Sequence, residues 1–349
     1  MLNEAISRRV FIQRAAMTSL ALATPAALLE ACSAAGTSNK PGSVRSFSFG
    51  YVEPSTTVDG FIADTFDKKL QELSGGSLKI VQYPNGQLGQ EEDMDRKLLT
   101  GDIDFSLSAS ANLTVIAPEA GALSLHYLFK NEDHMIKAMS DPKVNQVWSQ
   151  MVADKTNGAL SLGLFTAGFR NIYSKQSVSS IGDIKGKKIR VQASKTEDAF
   201  FGAYGAVAVH MPFGQVYTSL QTGVVQMAET LPDGFVQFKL YEVAPTMSET
   251  QHEVDNFHLG MSKKTWDSLT SQQQTWVKDA FTYMQPLANK KGLDLGHEAI
   301  TKIASLGAKY NTSVDKSKFV EIATPLQDGI AKNLGPTAVQ LVDLIRKAA

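Results

Sequence analysis

The feature that most constrains the fold of this chain is a regular alternation of strand-like and helix-like segments. Residues 46–52 alternate apolar and polar side chains as a strand does, and residues 61–73 carry apolar residues at helical spacing. Residues 78–83 are again strand-like, residues 91–99 begin with the acidic turn that suits a helix N-terminus, and residues 103–107 form a third strand. This order predicts an α/β unit with a largely parallel sheet.

The alternation recurs in the middle of the chain. The predicted order there is strand, strand, helix, strand, helix, strand, over residues 160–165, 189–192, 194–202, 207–209, 213–222 and 223–229. Two such units on one chain predict two lobes with a cleft between them. The last third is predicted to be helical, with its longest periodic run over residues 265–287 and a further helix that runs to Leu306.

Composition narrows the class of protein. The 349 residues are 43% hydrophobic and 20% charged with a net charge of −1, which is ordinary for a globular protein with length for about two domains. A nucleic-acid binder would show a basic surplus. Beyond the N-terminus, no stretch has the roughly 20 unbroken apolar residues that a transmembrane helix needs.

The N-terminus reads as an export signal. Arg8 and Arg9 form a twin-arginine motif, and the apolar run over residues 17–29 has the length of a signal-peptide core. Cys32, the only cysteine, follows a small residue at the end of that run. We therefore expect a signal peptide over residues 1–31, a lipid-anchored Cys32 and a flexible tether over residues 32–45. Because Glu30 is unusual in a lipoprotein cleavage box, plain cleavage near the same place is the alternative.

Two arginines stand out in the middle of the chain. Arg170 lies in residues 168–174 and Arg190 in residues 183–191, and each is beside apolar or aromatic residues. A guanidinium matches a carboxylate in shape and stays charged, so a buried arginine requires an anion. One alternative is that one arginine lies at the surface and the other pairs with a structural carboxylate.

These arginines belong to an ordered set of segments: residues 75–76, 83–89, 101–104, 118–119, 168–191, 205–206, 217–225 and 250–252. In order and spacing they resemble the DctP-type solute-binding proteins of TRAP transporters over essentially the whole mature chain. The resemblance implies a two-lobed, Venus-flytrap α/β fold with a long helix linking the lobes, which close on a small organic anion. Lobe I would comprise residues 46–167 with 256–295, and lobe II residues 168–255 with 296–349.

The resemblance also implies the site and the partners. Arg190 would grip the ligand carboxylate, and Arg170 would support it or make a second contact. Large and small membrane subunits would receive the ligand outside the cytoplasm. Glu229 is retained, and Thr230 stands where many members have a ligand-contacting asparagine. The further candidates are loop, strand-end and second-lobe residues: Glu53, Ser108, Ser110, Phe213 and Tyr217.

A binding protein without catalysis is the leading hypothesis. The chain has no Gly-x-Ser-x-Gly elbow and no phosphate-binding Gly-Lys-Ser/Thr loop, and its histidines lack metal-site spacing. We therefore predict no cofactor and no metal site, while the resemblance leaves one alternative, a cation bound together with the anion, with Glu229 as its candidate ligand. An extracellular enzyme acting on acidic sugars, with Glu53 or Glu229 as base, and a ligand-binding sensory module remain alternatives.

The ligand class is left partly open by the sequence. The polar side chains among the candidate site residues can hydrogen-bond to ligand hydroxyl groups, which favours sugar acids such as hexuronates. C4-dicarboxylates come next because two arginines can serve two carboxylates, and aromatic acids remain open. Sialate-binding relatives carry an acidic residue where this chain has Ala109, which argues against sialate.

Overall fold

The computed structural model of the protein describes residues 44–348. The predicted signal peptide, the Cys32 lipidation site and most of the predicted tether lie outside the described residues. Within them the strands, β1 to β9 in chain order, are Arg45–Gly50, Leu78–Tyr83, Phe105–Ala109, Ala159–Ser174, Lys188–Val191, Val207–His210, Met227–Thr230, Thr246–Ser262 and Lys309–Asn311.

The α-helices of the same residues, α1 to α11, are Val58–Ser74, Glu91–Thr100, Glu132–Ser140, Pro142–Thr156, Lys195–Ala203, Val216–Thr222, Pro232–Gln237, Lys263–Asp267, Ser271–Ile303, Ser317–Leu334 and Pro336–Lys347. Short 3-10 turns lie at Asn112–Val115, Pro118–Ser124, Ile181–Ile184, Phe213–Gln215, Leu240–Glu242 and Ala304–Leu306. Across residues 44–348, none of these helices combines the length and the apolar character that a bilayer span requires.

All strands join one nine-stranded sheet in the order β2-β1-β3-β8-β4-β7-β5-β6, with β9 beside β8. The pairs β1–β2 and β1–β3 are parallel, as are β5–β6 and β5–β7. The pairs β3–β8, β8–β4 and β4–β7 are antiparallel. Two parallel three-stranded groups are thus joined by two long antiparallel strands, so the predicted α/β class is confirmed and the largely parallel sheet is corrected at its centre.

The two long strands are what sequence patterning misses. β4 has 16 residues where only residues 160–165 were predicted as strand, and β8 has 17 residues where none was predicted. Almost every residue of β8 is buried, and many of these are polar or charged. A strand buried on both faces shows no alternation, and its polar residues hide the apolar run. The lobe boundaries at residues 167/168 and 255/256 fall inside these strands and stay a prediction.

β4 bends as it crosses the sheet. Its pairing with β8 shifts register between Ser161 and Leu164, between Thr166 and Gly168, and between Arg170 and Ile172. Gly168 has φ +122°, a conformation that residues with a side chain rarely adopt. The glycine that opens the arginine segment therefore serves the backbone of this bend.

A single long helix packs over the crossing strands. α9 spans 33 residues, and Thr270 caps its start in a reciprocal capping box with Gln273. The predicted helix over residues 265–287 instead breaks before Ser271, and α9 then continues without interruption to Ile303. At Gly292 the helix approaches β4 so closely that an added Cβ would lie 2.7 Å from the Cα of Ala167.

The close approach at Gly292 gives a paired prediction. Gly292→Ala should lower the free energy of unfolding by about 1–3 kcal/mol, because the new methyl group forces α9 away from β4. Gly296→Ala is the matched control: this glycine is buried in the same helix, but its Cβ would meet nothing within 4 Å. The control should raise stability by roughly 0.5–1 kcal/mol through helix propensity. Urea unfolding measures both, and equal effects would contradict the close contact.

Candidate functional site

A row of buried charges crosses four neighbouring strands. Glu253 lies on β8, Arg170 on β4, Glu229 on β7 and Arg190 on β5, and all four side chains are at most 3% exposed. Arg170 is the register partner of Glu253, while Ile172 pairs with Glu229 and Arg190 with Ala228. The strand order therefore places acid and base alternately along one line of the sheet.

Arg170 is held by acceptors of the protein itself. Its Nε donates to the Glu229 carboxylate, its Nη1 to the Asp255 carboxylate and its Nη2 to the Glu229 carbonyl at 3.0 Å. Burial works against the charged form, but Asp255 and Glu229 outweigh it and raise the pKa of Arg170 well above its usual value. Of the two roles left open for Arg170, this geometry fits support of the site better than direct ligand contact.

Arg190 is much less satisfied than Arg170. Its Nε donates to the Met211 carbonyl at 3.0 Å, and its guanidinium carbon lies 5.3 Å from the ring centroid of Phe213. Its Nη1 and the Oε1 of Glu229 are 3.7 Å apart, and neither atom has a hydrogen-bond partner among residues 44–348. Burial lowers the pKa of Arg190, and Glu229 only partly opposes it. A buried guanidinium with donors to spare is a site for an anion.

Glu53 and Thr230 approach the same point from the two parallel strand groups of the sheet. Glu53 follows β1, and Thr230 ends β7 just before α7. A Cβ on Gly234 of α7 would lie 3.2 Å from Thr230 Oγ1 and 3.6 Å from Glu53 Oε1. The structure thus brings two predicted site residues together around a glycine that leaves room between them.

The surroundings of Glu53 are strongly acidic. Burial and the nearby Asp59, Asp233, Glu91 and Asp255 raise the pKa of Glu53 well above its usual value. Burial also raises the pKa of Glu91 to about 7, although Asn112 and the Ala109 backbone donate to its carboxylate. Such a region accepts hydrogen bonds from hydroxyl groups and repels a second anion. Except for Glu53, sequence reasoning missed these carboxylates because they lie in no motif.

Hydrogen bonds connect the loops of the two strand groups around this region. The Gly214 backbone donates to Gln90 Oε1 at 3.1 Å, and the Ala193 backbone donates to Asn112 Oδ1 at 3.1 Å. Thr114 Oγ1 donates to the Ala193 carbonyl. Residues from both predicted lobes therefore meet beside Arg190 and Glu91.

Three predicted site residues have other partners. Ser108 Oγ donates to Asp95 Oδ1 at 2.7 Å and lies 2.9 Å from His258 Nε2. Tyr217 donates to Glu242 at 2.8 Å, and Ser110 is buried with its backbone bonded to Asn256. The Ser108 hydroxyl is engaged because α2 places Asp95 against β3, and the Tyr217 hydroxyl is engaged by Glu242. Their ligand contacts stay a prediction.

The serine, histidine and aspartate of this network do not form a nucleophilic triad. Asp95 accepts from Ser108, and its Oδ1 is 3.8 Å from His258 Nε2, so no carboxylate of residues 44–348 is hydrogen-bonded to the imidazole as a triad requires. Burial raises the pKa of Asp95 to about 8 and lowers that of His258 to about 3. The network is a buried, largely uncharged part of the core.

Comparison with known proteins gives a consistent match. The family described as DctP, bacterial extracellular solute-binding protein, family 7, matches residues 49–333. The uncharacterized protein YiiZ of Salmonella typhimurium is 31% identical over 75% of this chain and 80% of its own length. The 2,3-diketo-L-gulonate-binding periplasmic protein YiaO of Escherichia coli is 27% identical over 86% of this chain and 92% of its own length.

A solved structure shares the fold. The TRAP periplasmic solute-binding protein from Bradyrhizobium, in complex with α/β-D-galacturonate, is 30% identical with a TM-score of 0.81. The match covers 87% of this chain and 100% of that chain. The predicted two-lobed periplasmic-binding-protein fold is confirmed by this likeness.

The Asp95 network gives a prediction about stability and pH. The carboxyl group has a pKa of about 8 in the folded protein and an ordinary value of 3.8, so between these values the folded state holds a proton that the unfolded state has released. Stability from this group is complete at low pH and falls as pH rises through that range. From pH 5 to pH 7, wild type should lose roughly 2–3 kcal/mol more than Asp95→Asn.

Urea unfolding at several pH values measures the difference. Asp279→Asn, at an exposed position of α9, is the control and should follow wild type. Parallel curves for wild type and Asp95→Asn would show that Asp95 does not hold a proton.

Proposed function

The chain belongs to the DctP family of bacterial extracellular solute-binding proteins, and we propose that it binds a sugar acid, such as a hexuronate, through Arg190. The observation that carries this proposal is the buried Arg190 guanidinium, whose Nη1 lacks a partner among the described residues. As the solute-binding protein of a TRAP transporter, it captures its ligand outside the cytoplasm and delivers it to a permease of one large and one small membrane subunit.

A carboxylate is the anion that fits Arg190 best. The planar fork of a guanidinium takes two carboxylate oxygens at once, and burial strengthens the pair because water does not compete. Each charge-assisted hydrogen bond contributes about 1.5–3 kcal/mol. A few such bonds account for micromolar binding, which corresponds to roughly −8 kcal/mol. Phe213, which packs against the guanidinium, forms one wall of the site.

The acidic region at Glu53 supports a sugar acid over a C4-dicarboxylate. The hydroxyl groups of a uronate would donate to carboxyl groups such as that of Glu53 and to Thr230, whereas the added negative charge of a second ligand carboxylate is disfavoured there. Arg170 offers little to a second carboxylate because Glu229 and Asp255 occupy its donors. Relatives with bound galacturonate, and one with bound galactonate, support the same ligand class.

We propose binding without chemistry. The carboxylate of Glu229, one of the two candidate bases of the alternative enzyme, accepts a hydrogen bond from Arg170 Nε and is held by it, so it lacks the freedom of a general base. The family is a substrate-binding component of transport. No observation favours the enzyme or the sensory module over this role.

The N-terminal sequence supports a proposal about location. Arg8 and Arg9 support export by the twin-arginine route, and Cys32 supports a lipid anchor at the outer face of the cytoplasmic membrane. Mass spectrometry of the mature protein from its native host tests the anchor. A diacylglyceryl group on Cys32 is expected, and a mature N-terminus beyond Cys32 would contradict it.

The first ligand prediction concerns Arg190. Arg190→Ala should bind galacturonate at least about 100-fold more weakly, because the carboxylate loses its charge-assisted bonds. Arg190→Lys should also bind more weakly than wild type, since a point charge does not replace the fork. Isothermal titration calorimetry measures both affinities. Arg96→Ala, at an exposed arginine paired only with Asp93, is the control and should bind normally. Wild-type affinity in Arg190→Ala would refute the clamp.

A second prediction concerns ligand choice. Glu53→Gln should weaken galacturonate binding by about tenfold, because a carboxyl acceptor for a ligand hydroxyl is replaced by an amide. Succinate binding should not weaken and should improve, since one member of the crowded set of carboxyl groups that disfavours a second anion is removed. The control is Glu72→Gln on the exposed face of α1. Competition titrations give the affinity ratio of the two ligands, and an unchanged ratio would show that Glu53 does not select the ligand.

A further inference from the structure

A second cluster of buried polar side chains lies next to the Arg170 pairs and is not used by the ligand site. His126 follows the short helix Pro118–Ser124, Glu197 lies on α5, and His252 and Glu253 are neighbours on β8. All four are buried. One ligating atom each from His126, His252 and Glu253 lies within 4.8 Å of the other two.

Both imidazoles are oriented in the same way. His126 Nδ1 lies 3.0 Å from the Tyr204 hydroxyl, and His252 Nδ1 lies 2.8 Å from Thr250 Oγ1. This leaves each Nε2 for the shared space. His126 Nε2 faces Glu197 Oε2 at 3.2 Å, and His252 Nε2 has no partner among residues 44–348. Histidines that bind metals are held in this manner, with the second ring nitrogen engaged by a polar neighbour.

Carboxyl groups of the cluster also have unused acceptor atoms. Glu253 Oε2 and Glu197 Oε1 are buried without hydrogen-bond partners within the described chain. Ligating atoms of His126, His252 and Glu253 therefore converge, and Glu197 lies beside them against His126.

Carboxyl groups outnumber guanidinium groups in this buried region. Two guanidinium groups, Arg170 and Arg190, lie among four carboxyl groups: Glu197, Glu229, Glu253 and Asp255. Burial disfavours two uncompensated negative charges, so either two protons or a divalent cation completes the charge balance. The aromatic rings of Phe200 and Phe201 pack against His126 and keep water away, which strengthens either form of compensation.

We propose that His126, His252 and Glu253, with Glu197 as the fourth ligand, form a binding site for a divalent transition metal such as zinc. Two neutral imidazoles and two carboxylates suit zinc, cobalt or manganese, whereas calcium takes a larger set of oxygen ligands. The four ligands come from three separate parts of the chain, so no sequence motif with metal-ligand spacing predicts the site. A bound ion would fix Glu253, whose Oε2 lies 3.7 Å from the Nε of Arg170.

The test begins with the wild-type mature chain, purified without a histidine tag and stripped with a chelator. Zinc is supplied to one sample in the native state and to another during refolding, because the site is buried. Elemental analysis after desalting should find a single zinc ion per chain in at least one sample, together with a raised melting temperature. Wild-type protein that retains no zinc by either route overturns the proposal and leaves shared protons as the compensation.

Variants then locate the metal. His252→Gln and Glu253→Gln keep side-chain size, remove one ligand each and should weaken zinc binding by about tenfold or more. His210→Gln is the matched control, because this exposed histidine pairs only with Asp198. Cobalt provides a second readout, since its visible absorption should appear in wild type and His210→Gln and be lost in the two site variants. Circular dichroism checks their folding.

Two results would place the metal elsewhere and overturn the assignment: unchanged metal retention in folded His252→Gln and Glu253→Gln, or equal loss in His210→Gln. If the site variants fail to fold, the wild-type cobalt spectrum decides. Bands of a cobalt ion with nitrogen and oxygen ligands support the site, and the spectrum of hydrated cobalt contradicts it. Ligand binding at Arg190 is measured in the same samples, so its failure is separate from failure of the metal site.

Discussion

The buried row of alternating charges across β8, β4, β7 and β5 is the interaction on which the rest of the structure depends. A buried guanidinium is very costly unless it is paired, and Arg170 meets that requirement with Glu229 and Asp255. Those pairs fix the Glu229 carboxylate, which in turn sets what Arg190 faces. Because Arg170 is ion-paired with most of these carboxylates, Arg190 keeps unused hydrogen-bond donors. The proposed anion site is therefore a consequence of the unequal pairing of the two arginines with these carboxylates.

The row exists because two strands cross the whole sheet. β4 and β8 join the parallel group β1–β3 to the parallel group β5–β7, and they carry Arg170, Glu253 and Asp255 in their buried middle. α9 packs on β4 at Gly292, so a rigid helix holds the strand that carries Arg170. The proposed ligand-binding groups thus come from short loops and strand ends, while their electrostatic support comes from the most deeply packed part of the fold.

Much of the local structure follows from sequence patterns, and the exceptions have physical causes. The strand over residues 78–83 matches β2 to the residue, and the helix over residues 91–99 differs from α2 by a single residue. β8 is not predicted from the sequence, because alternation of apolar and polar residues marks a half-buried strand. β8 is instead buried on both faces and carries many polar residues. Ser108 lies at a strand end as expected, but its hydroxyl binds Asp95, a partner that only the packing of α2 supplies.

The sequence by itself determined the α/β alternation and an arginine pair that requires anions, and it predicted an export signal, because periodicity and charge are local properties. It also determined membership of a family that binds solutes, through ordered short segments. Only the tertiary structure decided which arginine has its guanidinium donors engaged and which keeps donors unused. It also decided that Glu53 lies among carboxyl groups and that His126 lies near His252 and Glu253. Those facts depend on strand order and helix packing, which bring residues far apart in the chain within a few ångströms and remove the water that would otherwise screen them.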